Sequence, residues 1–122
     1  MTILISILAT LTAAEFFYIL YLETFATSSA KTSGVFGIST EELQGETVST
    51  LFKNQGVYNG LLGVLILLAA YIFPSLTAVM CLMVYIILVA AYGSFTSNPK
   101  IILMQGGLAI LTLLACIVYL VK

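Results

Sequence analysis

Charge is what this sequence has least of. Only 7% of its 122 residues are Asp, Glu, Lys or Arg, where a soluble domain carries about 25%, so a water-facing surface cannot be built from it. Arginine, aspartate, histidine and tryptophan are absent altogether. The four lysines and five glutamates leave a net charge of −1, and without a basic patch the electrostatic footprint of nucleic-acid binding is missing. The lack of histidine excludes a histidine-containing zinc site. Cys81 and Cys116 lie inside apolar runs without CxxC spacing and read as small hydrophobes. No pattern supports a carboxylate-only metal site, so neither metal nor cofactor is expected.

What the chain does have is long hydrophobic runs. It is 61% hydrophobic with a mean hydropathy of +1.18, and its apolar stretches reach the roughly 20 residues needed to cross a ~30 Å hydrocarbon core. The expected fold is all-α, an integral-membrane four-transmembrane-helix bundle in one domain. Its spans fall at about 2–25, 50–73, 75–95 and 100–121. Residues 26–49 form the only sizeable polar connection. Ser39-Thr40-Glu41-Glu42 within it reads as a helix start with acids in the first turn. Phe73-Pro74-Ser75 marks a tight turn, and Pro99 suits a helix first turn. The N-terminus, Met1-Thr2-Ile3-Leu4, lacks the basic n-region of a signal peptide and reads as a retained span.

An even number of spans puts both termini on one side. The 26–49 connection and the 97–99 turn carry Lys31, Lys53 and Lys100 on the other, against Lys122 alone. The positive-inside rule then places the connection in the cytoplasm and the termini outside, and the lipid bilayer is the first partner implied. Three lysines against one is a narrow margin, and dual insertion stays open.

The polar residues within the spans are distributed unevenly. Glu15 lies near mid-depth of the first run and Glu23 near its cytoplasmic end. Lys53, Asn54, Gln55, Tyr58 and Asn59 open the second span, Tyr85 and Tyr92 lie toward the same end of the third, and Gln105 is one turn into the fourth. At ~1.5 Å per residue all sit within roughly 15 Å of one boundary. A carboxyl at such depth is costly, by ~2.5–3.5 kcal/mol on insertion scales, and needs a partner. The expectation is one pocket lined by Glu15, Tyr18, Glu23, Asn54, Gln55, Tyr58, Asn59, Tyr85, Tyr92 and Gln105, open toward the connection and closed beyond Glu15. Glu15 is expected to face Asn59 or Tyr58, and Lys53 to pair with Glu23. Gly56-x3-Gly60 has the spacing of closely packed membrane helices.

Glu15, the Tyr18-Ile-Leu-Tyr-Leu-Glu23 run, Phe36-Gly37, Asn54-Gln55-Gly56-x-Tyr58-Asn59-Gly60, Tyr92-Gly93 and Lys100-Ile-x-x-x-Gln105-Gly106 together form a set. It resembles the small bacterial four-span membrane proteins catalogued as domain-of-unknown-function family 1304, over essentially the whole chain. The resemblance implies a four-helix inner-membrane protein and carries no biochemical role with it. Relatives often have His after the first Glu and Trp after the Phe-Ala pair. Here Phe16 and Thr27 stand there, so a Glu–His proton relay is unavailable.

Three functions fit these residues. In outline the chain is similar to the small multidrug-resistance exporters, which implies a carboxylate exchanging protons for a small molecule, in a homodimer or larger homo-oligomer. A membrane-embedded isomerase or epimerase on a lipid-like substrate would use Glu15 and Glu23 as acid and base, although their ~12 Å axial separation is long for one reaction centre. An accessory subunit of a membrane complex is the third. A bound small molecule or lipid-like ligand is expected in the first two.

Overall fold

The computed structural model describes all 122 residues and contains no strand. Helix α1 (Ile3–Leu20) runs into a single π-helical turn, Tyr21–Phe25. Two short helices follow, α2 (Ala30–Phe36) and α3 (Thr40–Gln44). Helix α4 (Glu46–Leu67) ends in a second π turn, Leu68–Ile72, and α5 (Leu76–Thr96) and α6 (Ile101–Val121) complete the chain. Four segments are long and apolar enough to cross a membrane, Ile3–Phe25, Glu46–Ile72, Leu76–Thr96 and Ile101–Val121. The protein is a multi-pass, all-α four-helix membrane bundle.

Local chemistry sets the boundaries. Thr2 caps α1 by accepting from the Ile5 N–H at 3.2 Å, and Ser75 caps α5 by accepting from Ala78 at 3.1 Å. Ser39 caps α3, accepting from the Glu42 N–H at 3.2 Å while its hydroxyl donates to Glu42 Oε1 at 3.3 Å, so the Ser39 side chain satisfies a backbone donor of the first turn. Helix α4 starts at Glu46, four residues before the apolar run does, because its first turn stands outside the core and needs no apolar face. Pro99 lies in the turn before α6 rather than within it, since Lys100 is the residue at the helix N-cap.

The packing order is α4–α1–α6–α5. Helix α1 lies against α4 on one side and α6 on the other, and α5 packs on α6 and on the Leu68–Ile72 turn. Three glycines of α4 permit the close approach of α1. A Cβ on Gly56 would collide with Thr24 Oγ1, one on Gly60 would lie 2.6 Å from Leu20 Cδ2, and one on Gly63 3.1 Å from the Ala13 carbonyl. The core joins Ile5, Ala9, Phe16 and Ile19 of α1 to Leu62 and Ile66 of α4, Met83 and Ile86 of α5 and Cys116 of α6. Large side chains such as Ile3, Phe95 and Leu103 point outward, the arrangement lipid requires.

Candidate functional site

Helices α4 and α5 join at the Leu68–Ile72 turn and separate toward the other end of the bundle, because each packs on a different neighbour. The space between them is a cleft of about 730 Å³. Leu61, Leu62 and Leu65 of α4 and Leu82, Ile86 and Val89 of α5 form its apolar walls. Phe16 of α1 lies at its back. Tyr58, Tyr85 and Tyr92, which also line it, are 74%, 57% and 71% exposed and stand at its rim. The cleft thus opens sideways between two membrane-crossing helices.

The connection does not leave the near end of the cleft open. Phe36 of α2 and Ile38 line it, and the Phe36 ring meets Phe52 edge-on with centroids 5.3 Å apart. What folds the connection back is threonine chemistry. Thr32, fully buried on α2, donates to the Ala26 carbonyl at 2.7 Å and reaches the Leu22 carbonyl at 3.1 Å. Thr27 donates to the Glu23 carbonyl at 2.6 Å, and Thr24 donates to the Lys53 carbonyl at 2.9 Å. The Thr27 and Thr32 hydroxyls thus give partners to the Glu23 and Leu22 carbonyls at the end of the first span, as buried backbone requires, while Thr24 ties that end to α4.

The polar end of the cleft is built on Glu23. It sits in the π turn, 0% exposed, and both carboxyl oxygens are held by α4. Gln55 Nε2 donates to Oε2 at 2.5 Å and Asn59 Nδ2 to Oε1 at 2.6 Å. The two amides are four residues apart and present on neighbouring turns of one helix. Gly56, between them, lets α1 come close enough for both bonds. Gln55 and Asn59 line the cleft on their other side, with Gln105 of α6 and Ser97. The carboxyl therefore lies one amide behind the cleft surface. No lining residue is charged.

The remaining expected site residues lie elsewhere. Glu15 is half-buried on α1 and does not face Asn59, and its Oε1 is buried without a hydrogen-bond partner. Tyr18 and Asn54 are exposed outside the cleft, and Lys53 joins the network through its carbonyl rather than pairing with Glu23. The reason is helical phase. Ala9, Phe16 and Glu23 are seven residues apart, which drifts only ~20° on a straight helix, so Glu23 extends the inward stripe of α1 and Glu15 does not. Residues not anticipated from the sequence include the apolar walls on α4 and α5, Phe16, Phe36, Ile38, Phe52 and Ser97 in the cleft, and the three threonines beneath it. For Phe16 the seven-residue spacing to Glu23 was the available signal.

The model of a family described as a protein of unknown function (DUF1304) matches residues 10–117. The chain is also 60% identical over 116 residues to the uncharacterized protein YpaA of Lactococcus lactis subsp. lactis (strain IL1403), across 94% of this chain and 98% of that protein. No solved structure matches it.

Proposed function

We propose a function for a chain that belongs to the DUF1304 family of proteins of unknown function: it binds an amphipathic organic cation in the cleft between α4 and α5 and exchanges it for the proton of Glu23. The observation that carries this reading is a fully buried carboxyl whose only side-chain partners are two neutral amides, Gln55 and Asn59. A buried carboxylate without a counter-charge is short of stabilisation, and a cation in the cleft supplies it. The lining suits such a ligand. Phe16, Phe36, Phe52, Tyr58, Tyr85 and Tyr92 offer π faces, which attract cations more strongly when desolvated. No lysine competes for the carboxyl within the cleft or repels the ligand there.

The sideways opening favours a ligand that partitions into the membrane first, and the apolar walls favour a bulky hydrophobic body. An acid–base enzyme is less well supported, because Glu15 and Glu23 face different directions and only Glu23 adjoins the cleft. Placement in a bacterial inner membrane, with the 26–49 connection on the cytoplasmic side, follows from the lysine distribution and belongs to this proposal. So does a homodimer.

Exchange makes binding and proton release one event. Calorimetric titration with tetraphenylphosphonium, in two buffers of different ionisation enthalpy, should give about half a proton released per cation bound at the midpoint of the Glu23 titration, rising toward one at lower pH, where the free carboxyl is fully protonated. Affinity should weaken as pH falls, since protons compete for the same carboxylate. Glu23→Gln should abolish the proton release. Binding with no buffer dependence, or release that persists in Glu23→Gln, would remove Glu23 from the exchange.

A further inference from the structure

A second concavity lies outside the cleft, where α2 meets the turn between α5 and α6. Its volume is about 430 Å³, and it brings together Lys31 and Val35 of α2 with Asn98, Lys100 and Met104 from the turn and α6. Two of the chain's four basic residues thus converge on one groove from segments far apart in sequence, and no glutamate lines it. We propose that this groove binds the phosphate of an anionic phospholipid, with Lys31 and Lys100 as the charged contacts.

Position argues for a lipid. Lys100 immediately precedes α6, which is apolar enough to cross the membrane, so its ammonium stands at the level of the headgroups. Asn98 Oδ1 accepts from the Lys100 backbone N–H at 3.1 Å, which fixes the turn and leaves the Asn98 amide N–H groups to donate toward the groove. Val35 and Met104 supply an apolar wall to the groove, and Leu103, next to Met104 on α6, is exposed. A polar end with two cations above an apolar wall matches a headgroup with its first acyl carbons. Basic pockets beside membrane helices bind anionic headgroups through this combination. A Cβ at Gly34 on the α2 wall would meet nothing within 4 Å, so the groove is not filled by neighbouring side chains there.

The test is native mass spectrometry of the whole protein in a non-ionic detergent, with phosphatidylglycerol, phosphatidylcholine or inorganic phosphate added. Phosphatidylglycerol should be retained over phosphatidylcholine. The preference should fall by roughly thirtyfold in Lys31→Gln/Lys100→Gln, the effect of two surface lysines on an anionic headgroup. It should survive in Lys53→Gln, and in Lys31→Arg/Lys100→Arg, which keeps both charges. Equal retention of the two lipids overturns the proposal, as does a preference that the glutamine variant keeps. Displacement of phosphatidylglycerol by millimolar inorganic phosphate also overturns it and assigns the groove to a free anion instead. Thermal unfolding of each variant at the wild-type temperature establishes that any loss is local.

Discussion

Glu23 and Glu15 illustrate how two carboxyls of one helix acquire different surroundings. Glu23 accepts from two amides, and Glu15 leaves one buried oxygen unpaired. Substituting Glu23 by Gln keeps an oxygen for one amide, and the other can rotate to present its carbonyl to the new NH2. Glu23→Leu offers neither: the exposed Gln55 amide can turn outward, but the half-buried Asn59 amide is left without its partner, a buried unsatisfied group costing about 1–3 kcal/mol. Glu23→Leu should therefore unfold about 2 kcal/mol more easily than Glu23→Gln, checked by thermal unfolding in one detergent. At Glu15 the order reverses. Glu15→Leu removes an unpaired buried oxygen and should hold or raise stability, while a marked loss would mean that the carboxyl has a structural partner. Depth along the span favoured Glu15 as the principal carboxyl, because hydropathy locates a residue along the membrane normal. Which side it faces depends on phase, and the seven-residue stripe through Ala9, Phe16 and Glu23 carried that information.

At the scale of elements, α1 and α4 form the pair that assembles the site. Gly56 places Glu23 beneath Gln55 and Asn59, and a Cβ there would also lie 3.1 Å from the Thr24 backbone nitrogen, which cannot rotate away. Gly56→Ala should separate the helices, lowering stability by about 1–3 kcal/mol and weakening cation binding with it. Gly107→Ala meets nothing within 4 Å and should be neutral or stabilising by up to about 1 kcal/mol. Unfolding measurements on the two variants side by side distinguish packing at Gly56 from a general intolerance of added methyl groups. The Gly56-x3-Gly60 spacing made this interface legible in advance. The π turn at Tyr21–Phe25 and the return of α2 were not legible. They rest on Thr24 meeting the Lys53 carbonyl of α4 and Thr32 of α2 meeting the Leu22 carbonyl of the first span, and a lone threonine in a polar stretch carries no mark of such a partner.

For the whole molecule, four hydrophobic runs and two prolines were enough to give the four-helix bundle. They were not enough to show which helices touch. The splaying of α4 from α5 follows from α1 pairing with α4 and α6 with α5, and in place of an expected pocket open toward the connection it leaves a cleft between α4 and α5. Topology has its own test. With Cys81 and Cys116 replaced, single cysteines placed in the 26–49 connection and at the C-terminus should react with impermeant reagents from opposite sides of the membrane. Reaction of both from one side would contradict the four-span arrangement.

The sign of the ligand's charge is the centre of this account, and two probes of one shape isolate it. Tetraphenylphosphonium and tetraphenylborate match closely in size and hydrophobicity and differ in charge. Their binding would be measured by equilibrium dialysis against the protein in nanodiscs, with empty nanodiscs of the same lipid as the baseline. The account predicts saturable binding of the phosphonium, weakened at least tenfold in Asn59→Leu, which loses a cleft amide and a Glu23 partner, about 1.4 kcal/mol or more. It predicts no saturable binding of the borate. Equal binding of the two ions would reduce the cleft to a hydrophobic site, and preference for the borate would contradict the role given to Glu23.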